Sequence, residues 1–206
     1  AACFDLSAAC TGFLYAMSVA DAYIKVGMYK KVLVIGAEVM SQVVDWKDRS
    51  VCVLFGDGAG AVVLGEDSSG KSIFRLHSDS GSAQALTLGK ENAVHMNGRE
   101  IFSFAVRKVP ESVKEVLEES ETAKEQVKYF ILHQANARMI ESIAKRLDVP
   151  VEKFPMNLEE YGNTSSASIP ILLDELNRAG KLQKGQKIIL AGFGAGLTWG
   201  ASILEW

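Results

Sequence analysis

Cys10 has the surroundings that best suit nucleophilic chemistry in this chain of 206 residues. It lies in the stretch FDLSAACTGF, between an apolar run that predicts a strand and the first turn of a predicted helix. Unpaired backbone N–H groups and the positive end of the helix dipole favour a thiolate there, so we expect the pKa of Cys10 to lie below its ordinary value. Cys3 and Cys52 lie inside apolar runs, where a cysteine usually serves as a small buried hydrophobe.

Two further residues could donate hydrogen bonds at the same site. His133 closes the apolar run YFILHQ, and an imidazole at the end of a buried strand can point into a pocket, although a structural role is equally compatible with that position. Asn163 lies in YGNTSSAS, a turn before a later predicted helix, where it or a neighbouring hydroxyl could instead cap the helix. His77 and His95 have no comparable setting, and we predict no role for them.

Two glycine-rich stretches, FGDGAG and FGAGLTWG, invite comparison with phosphate-binding loops. Neither has the spacing of such a loop and neither opens a helix, so the sequence disfavours nucleotide binding. The second stretch can offer backbone N–H groups to a developing oxyanion, because small residues allow close approach.

Composition excludes several classes of protein. A net charge of −3 and a pI near 5.7 argue against a nucleic-acid partner. The three cysteines have no CxxC spacing, so neither a disulfide framework nor a structural zinc site is predicted, and a reducing cytoplasm fits best. No apolar run approaches the roughly 18 residues of a membrane span, and no signal peptide is evident. The chain opens without methionine, inside a predicted strand, and we interpret it as a fragment.

The order of predicted elements repeats. A helix over residues 11–26, ended by Gly27, precedes the strand KKVLVIGAE, a glycine-rich stretch and the strand AVVLGE. Near the C terminus a helix ended by Gly180 precedes the strand KIILAGF, a glycine-rich stretch and ASILEW. The first strands match at an offset of 156 residues and the second at 140, so the first half carries 16 extra residues between them.

Between the halves we predict a strand over 72–78, a helix over 100–119 that Pro110 kinks or restarts, and an amphipathic helix in ARMIESIAKRLD. The pattern predicts a layered α/β fold with two sheets, each covered on both faces.

Five stretches together resemble the β-ketoacyl-acyl-carrier-protein synthase III family, in the family's order and from one end of the chain to the other. They are DLSAACTGF, LFGDGAGAVVL, LHQANARM, YGNTSSASIP and GFGAGLTWGASI. The resemblance implies the thiolase-like fold, a duplicated α/β fold with α-β-α-β-α layers. Members of the family begin with a further strand and helix ahead of the cysteine, so we expect the first half to be incomplete. We place the halves at residues 1–68, with the nucleophile, and 69–206, with the histidine and the asparagine.

The resemblance also implies a reaction that initiates fatty acid synthesis. Cys10 matches the nucleophile that takes an acyl group from acyl-CoA. His133 and Asn163 match the pair that donates hydrogen bonds to the thioester carbonyl of malonyl-acyl-carrier protein, which condenses with the acyl group and loses carbon dioxide. The backbone N–H groups of Cys10 and Ala195 match the oxyanion hole. Many members have glycine in place of Ala195, so the match requires a φ angle there that suits a side chain.

Residues that would bind substrates and partners follow from the same resemblance. Phe193 matches an aromatic ring that shields the thiol, Arg49 a residue that grips the coenzyme A nucleotide, and Asn97 and Gly98 the lining of the pantetheine path. Arg49 could equally be a solvated loop charge.

A homodimer is implied, with the opening strand pairing across the two-fold axis, and no metal or other cofactor is implied. A basic patch would receive the acidic carrier protein, although such charges can also serve solubility alone: Arg138, Lys145 and Arg146.

Several alternatives stay open. A plant-type polyketide synthase shares the three residues but would accept a free coenzyme A extender. Thiolases and elongating ketosynthases have histidine where this chain has Asn163, so a correct placement of Asn163 excludes them. The chain could also be a non-catalytic fragment or subunit that binds a carrier protein. A Cys-His hydrolase would need the histidine to activate the thiol directly and would release free acid.

Overall fold

From residue 12 onwards, the helices and strands that the periodicity predicts occur in the predicted order. The computed structural model describes residues 1–66 and 72–206. Gly27 and Gly180 follow helix ends with φ angles of 74° and 67°, as predicted for C-terminal caps. The helix around Pro110 does not restart there.

In the described residues the helices are α1 (Gly12–Lys25), α2 (Gly98–Glu119), α3 (Ala137–Leu147), α4 (Leu158–Tyr161) and α5 (Ser168–Arg178). The strands are β1 (Lys31–Glu38), β2 (Gly58–Gly65), β3 (Ile73–Ser78), β4 (Leu86–Leu88), β5 (Val94–Met96), β6 (Val127–Leu132), β7 (Lys187–Gly194) and β8 (Thr198–Glu205).

Four layers stack in the order helices, sheet, helices, sheet. The larger sheet has the strand order β3-β8-β7-β6, in which β6 is parallel to β7 and the other neighbours are antiparallel. Successive residues of β7 point to opposite faces, so Ile189 packs with α2 and α3 whereas Ile188 packs with α1 and α5. The two-stranded sheet β1-β2 packs on the far side of α1 and α5. This layering is the α/β arrangement that the sequence predicts.

The two halves repeat one antiparallel pair of strands. Strand β1 pairs with β2 in a register that sets Lys31 opposite Gly65, and β7 pairs with β8 in a register that sets Lys187 opposite Glu205. All four strands have eight residues, and each pair follows a helix. The duplication inferred from the sequence offsets is therefore confirmed.

The sheet β1-β2 is not covered on both faces, so the sequence prediction is wrong at this point. Leu33, Ile35 and Val63 point away from α1 and α5 and are 59, 58 and 65% exposed. A continuous apolar strand is typical of a doubly covered sheet. In the part of the chain that the structure describes, no helix packs on this outer face.

The opening stretch also differs from the prediction. Residues 1–8 form neither helix nor strand, because no other segment among the described residues pairs with them. Cys3 in this stretch is exposed rather than buried. The predicted boundary between residues 68 and 69 lies outside the described residues.

Candidate active site

One cavity of about 450 Å³ brings together the sulfur, the imidazole and the carboxamide. Cys10 reaches it from the turn before α1, His133 from the end of β6, and Asn163 from the turn before α5. All three side chains are buried, with exposed fractions of 8, 2 and 8%. Apolar side chains form most of the remaining wall, so the cavity offers a thioester a largely apolar environment.

Backbone geometry fixes Cys10 against strand β7. Ala9 has a φ angle of 47°, a left-handed conformation, and starts a single 3₁₀ turn that continues into α1. Gly194 lies directly behind the cysteine: a Cβ atom on Gly194 would be 2.8 Å from Cys10 Cβ and 3.0 Å from Cys10 N. Only glycine permits this approach. The thiol is therefore held by a helix start on one side and a strand on the other.

Burial determines the ionisation of Cys10. It raises the pKa of the thiol to about 11, and the nearby Glu38 carboxylate adds to this increase, while a hydrogen bond from the Ser165 side chain opposes it. The expectation of a lowered pKa is thus wrong, because desolvation of the thiolate outweighs the favourable position at a helix N-terminus. At neutral pH the resting side chain is a thiol.

His133 is held as a neutral ring. Its backbone N–H donates to the carbonyl of Ala191 at 2.8 Å, which continues the pairing of β6 with β7. Its Nδ1 lies 2.7 Å from the hydroxyl of Ser168, and its ring meets that of Phe193 edge to face at 5.3 Å. Burial lowers the pKa of His133 to about 4, so the ring carries no charge at neutral pH. The ring nitrogen opposite Ser168, Nε2, makes no hydrogen bond to the described residues.

The side chain of Asn163 is oriented by its own turn. The backbone N–H of Asn163 donates to Leu54 at 2.8 Å and its carbonyl accepts from Gly56 at 3.0 Å, which fixes the main chain. Its Oδ1 accepts the N–H of Ser165 at 2.9 Å. The Nδ2 group is therefore left to donate, and within the described part of the chain it has no acceptor.

The loop that contains Ala195 is tied to the turn that contains Cys10. The hydroxyl of Thr198 donates to the carbonyl of Ala195 at 2.9 Å, and the hydroxyls of Thr11 and Thr198 lie 2.6 Å apart. Ala195 lines the cavity and is not among the described residues with positive φ. The backbone conformation of Ala195 therefore suits a residue with a Cβ atom, as is required at a position where many members of the family have glycine.

Glu38 is a cavity residue that the sequence analysis missed. Its Oε1 accepts from the hydroxyl of Ser166 at 2.5 Å, and from the Ser166 N–H and the Ser165 hydroxyl, both at 3.3 Å. The duplication could have identified Glu38 from the sequence. At the offset of 156 residues, Cys10 aligns with Ser166 and Glu38 aligns with Gly194. The pair Glu38 and Ser166 therefore repeats the close approach of Gly194 to Cys10.

Comparisons with known proteins agree with one another. The family model described as 3-Oxoacyl-[acyl-carrier-protein (ACP)] synthase III matches residues 4–95, and the model of its C-terminal part matches residues 117–206. A β-ketoacyl-[acyl-carrier-protein] synthase III from Clostridium acetobutylicum is 48% identical over all of this chain and 68% of its own length. The chain belongs to the β-ketoacyl-[acyl-carrier-protein] synthase III family. It is accordingly an acyltransferase, a condensing enzyme of the type that initiates fatty acid synthesis.

Solved structures of synthase III enzymes share its thiolase-like fold. The crystal structure from Aquifex aeolicus VF5 superimposes with a TM-score of 0.96 at 47% identity, over 98% of this chain and 67% of that one. The structure from Thermus thermophilus gives a TM-score of 0.94 at 40% identity, again over 98% and 67%. The chain thus spans about two thirds of the length of these relatives.

Two residues that the synthase III resemblance assigns to coenzyme A binding do not line the cavity. Arg49 is exposed in the segment that joins β1 to β2. Asn97 is the N-cap of α2, where its Oδ1 accepts the N–H of Glu100 at 3.2 Å. Gly98, the next residue, does line the cavity. The cavity therefore contains Gly98 and Phe193 from the predicted binding set, while Arg49 and Asn97 lie outside it.

The predicted basic patch lies on one helix beside the cavity. Arg138, Lys145 and Arg146 are exposed on α3, and none of them forms a salt bridge within the described residues. Asn136 and Met139, at the start of the same helix, line the cavity. A negatively charged partner bound along α3 would therefore be next to the cavity.

Residues 1–66 and 72–206 contain neither a metal-binding cluster nor a membrane-spanning helix. There, no three side chains of His, Cys, Asp or Glu lie close enough together to hold a metal ion. The helices of those residues include none that is both long and apolar enough to traverse a bilayer.

Replacing Glu38 by glutamine is expected to lower the pKa of Cys10. The substitution removes the carboxylate charge that raises this pKa, while the glutamine oxygen can still accept from Ser166. The rate of alkylation is proportional to the thiolate fraction. In the Glu38→Gln chain, the alkylation rate of Cys10 should therefore begin to rise at a lower pH. Peptide mass spectrometry after iodoacetamide treatment separates Cys10 from the exposed Cys3.

The exposed Glu118 on α2 provides a matched control for this measurement. Its replacement by glutamine should leave the alkylation profile of Cys10 unchanged. A Glu38→Gln profile that coincides with that of the parent chain would contradict the electrostatic role of Glu38.

Proposed function

We propose that Cys10 takes an acyl group from acyl-CoA and that His133 and Asn163 then promote its condensation with malonyl-acyl-carrier protein. The observation that supports this most strongly is the meeting of the three side chains, each buried, in one largely apolar cavity. Residues 1–68 would supply the nucleophile and residues 69–206 both donors.

In the first half of the reaction, the sulfur of Cys10 attacks the thioester carbonyl of acyl-CoA. A bond forms from Cys10 to the acyl carbon, the bond from that carbon to the coenzyme A sulfur breaks, and the thiol proton leaves with coenzyme A as its free thiol. Because the pKa of Cys10 is about 11, the proton has to leave as the sulfur attacks. The backbone N–H groups of Cys10 and Ala195 would stabilise the tetrahedral oxyanion.

In the second half, the malonyl thioester carbonyl accepts hydrogen bonds from His133 and Asn163. Breaking the bond to the carboxylate releases carbon dioxide and leaves an enolate whose negative charge these donors stabilise. The enolate carbon attacks the acyl-cysteine, forms the new carbon–carbon bond and displaces the sulfur of Cys10, which regains a proton. Both donors are neutral, so neither needs a counter-charge inside the cavity.

Substrate delivery would use the surface beside the cavity. The exposed basic residues of α3 match the charge of an acidic carrier protein, and Phe193 would shield the thiol from water. Arg49 would contact the coenzyme A nucleotide, and Asn97 and Gly98 the pantetheine arm. The reaction needs no metal or other cofactor, because the thioesters supply the leaving groups.

We also propose a cytoplasmic homodimer, which fits the free cysteines and the exposed apolar side chains of β1 and β2.

Intact mass after incubation with acetyl-CoA tests the first step. We expect one acetyl adduct on the parent chain and none on Cys10→Ala. Cys52→Ala is a matched control, since Cys52 is as buried as Cys10, at 8% exposure, and should acetylate normally. A folded chain that forms no adduct would contradict the catalytic proposal and favour a non-catalytic binding role.

Addition of malonyl-acyl-carrier protein to the acetylated chain tests the second step. A condensed thioester with loss of the adduct is the expected result. Release of free acetate instead would indicate a hydrolase. Equal use of malonyl-CoA as extender would contradict the role assigned to the basic patch on α3.

A further inference from the structure

The hydroxyl of Ser168 makes three contacts inside the protein. It lies 2.7 Å from His133 Nδ1, 3.0 Å from the carbonyl of Ser165 and 3.3 Å from the backbone N–H of Gln134. Ser168 is the first residue of α5 and is 3% exposed, so water does not compete for these contacts. No role was predicted for Ser168 from the sequence.

A neutral imidazole carries one ring proton, and its position decides what the ring can do. With the proton on Nε2, His133 can donate a hydrogen bond into the cavity. With the proton on Nδ1, Nε2 is an acceptor and cannot stabilise a negatively charged oxygen. The partner of the other nitrogen sets this choice. Ser168 is the partner of Nδ1.

The neighbours of Ser168 favour one direction for its single hydroxyl proton. The N–H of Gln134 can only donate, so it uses a lone pair of the hydroxyl oxygen. The carbonyl of Ser165 already accepts the backbone N–H of Ser168, so it is not left unpaired if the hydroxyl turns away. Of the two groups that the hydroxyl proton can reach, His133 Nδ1 is the nearer, at 2.7 Å against 3.0 Å for the carbonyl of Ser165.

We propose that Ser168 is a positioning residue that donates to His133 Nδ1 and thereby holds the ring in its Nε2–H tautomer. The catalytic consequence rests on the proposed function, in which His133 donates to the malonyl thioester carbonyl. The tautomer itself does not depend on that function and can be measured in the resting chain. Ser168 touches no substrate and acts through His133 alone.

Nitrogen-15 NMR of histidine-labelled chain tests the tautomer directly. The chain has three histidines, so the His133 signals are identified by their loss in His133→Ala. We expect the Nε2–H pattern in the parent chain and a shift towards Nδ1–H in Ser168→Ala, where the carbonyl of Ser165 becomes the acceptor. A parent chain with Nδ1–H, or a Ser168→Ala chain with an unchanged pattern, would overturn the inference.

A matched control separates the tautomer from the general effect of removing a buried hydroxyl. Ser112 on α2 is fully buried, and its hydroxyl has no hydrogen-bond partner among the described residues. Ser112→Ala should leave the His133 signals unchanged. Ser168→Thr retains the hydroxyl and should keep the Nε2–H pattern. A Ser168→Thr chain that folds and yet shows the Nδ1–H pattern would overturn the inference.

Kinetics then connect the tautomer to the reaction. In Ser168→Ala we expect kcat for condensation to fall about 10- to 100-fold or more, the usual cost of losing a partner that orients a functional histidine and sets its tautomer. The acetylation rate of Cys10 should stay within about twofold, because the first step uses other donors. A changed tautomer with unchanged condensation would support the inference while contradicting the donor role of His133, so the two proposals fail separately.

Discussion

Replacing Asn163 by alanine is expected to leave acetylation of Cys10 intact and to lower the condensation rate about 100-fold or more, the usual cost of removing one donor to a developing oxyanion. The Oδ1 of Asn163 is bound to the N–H of Ser165, which leaves the Nδ2 group as the donor that the substitution removes. Single-turnover assays that follow the acetyl adduct by mass and the condensed thioester by chromatography separate the two steps.

Two further variants refine this experiment. Asn163→Asp keeps an oxygen that can accept from Ser165 and replaces the donor by a charge, so it should lose condensation with the turn preserved. Asn177→Ala, at an exposed position of α5, is a matched control that should leave both steps unaffected. Loss of acetylation in a folded Asn163→Ala chain, which adds no charge beside Cys10, would show that Asn163 acts before condensation and would contradict the assigned role.

Gly194→Ala is expected to abolish acetylation of Cys10 or slow it about 100-fold, the effect that a displacement of about 1 Å can have on a reacting group. The new Cβ atom would lie 2.8 Å from Cys10 Cβ and 3.0 Å from Cys10 N, closer than real Cβ atoms approach. The cysteine or strand β7 must therefore move, and the backbone N–H groups of the oxyanion hole move with them. Intact mass over time after addition of acetyl-CoA gives the rate.

Gly65→Ala provides the control for Gly194→Ala. Gly65 ends β2, and the nearest atom to an added Cβ is the carbonyl oxygen of Lys30 at 4.0 Å, an ordinary contact. This variant should acetylate at the parent rate. Thermal unfolding of both variants distinguishes loss of the site from loss of the fold. A folded Gly194→Ala chain with a normal acetylation rate would contradict the geometry described for Cys10.

The sequence was sufficient for the parts of this protein that depend on neighbouring residues. Alternation of apolar positions and capping glycines predicted the helices and strands, since both reflect interactions within a few residues. The repeat of strand, glycine-rich stretch and strand predicted the duplication. Cys10, His133 and Asn163 were selected because each lies where a strand or turn meets a helix, and the structure places all three around one cavity.

Some elements could not be predicted correctly from local patterns. The outer face of β1 and β2 looks like a buried strand in sequence, yet Leu33 and Val63 are exposed because nothing in the described residues packs there. Arg49 and Asn97, which were assigned by resemblance, lie outside the cavity that Gly98 lines, and their contacts with coenzyme A stay predictions. What surrounds a residue depends on segments far away in the chain.

The amino-acid sequence by itself determined the fold class, the repeated halves and the residue types available for chemistry, because periodicity and turn preference act over short stretches. Only the tertiary structure decided the ionisation and orientation of those residues. Helix position alone predicts a lowered pKa for Cys10, but burial raises it to about 11, and Glu38 approaches Ser166 across 128 residues of chain. Desolvation and hydrogen bonds between distant segments exist only once the chain has folded, and they determine which atoms of Cys10 and His133 hold protons.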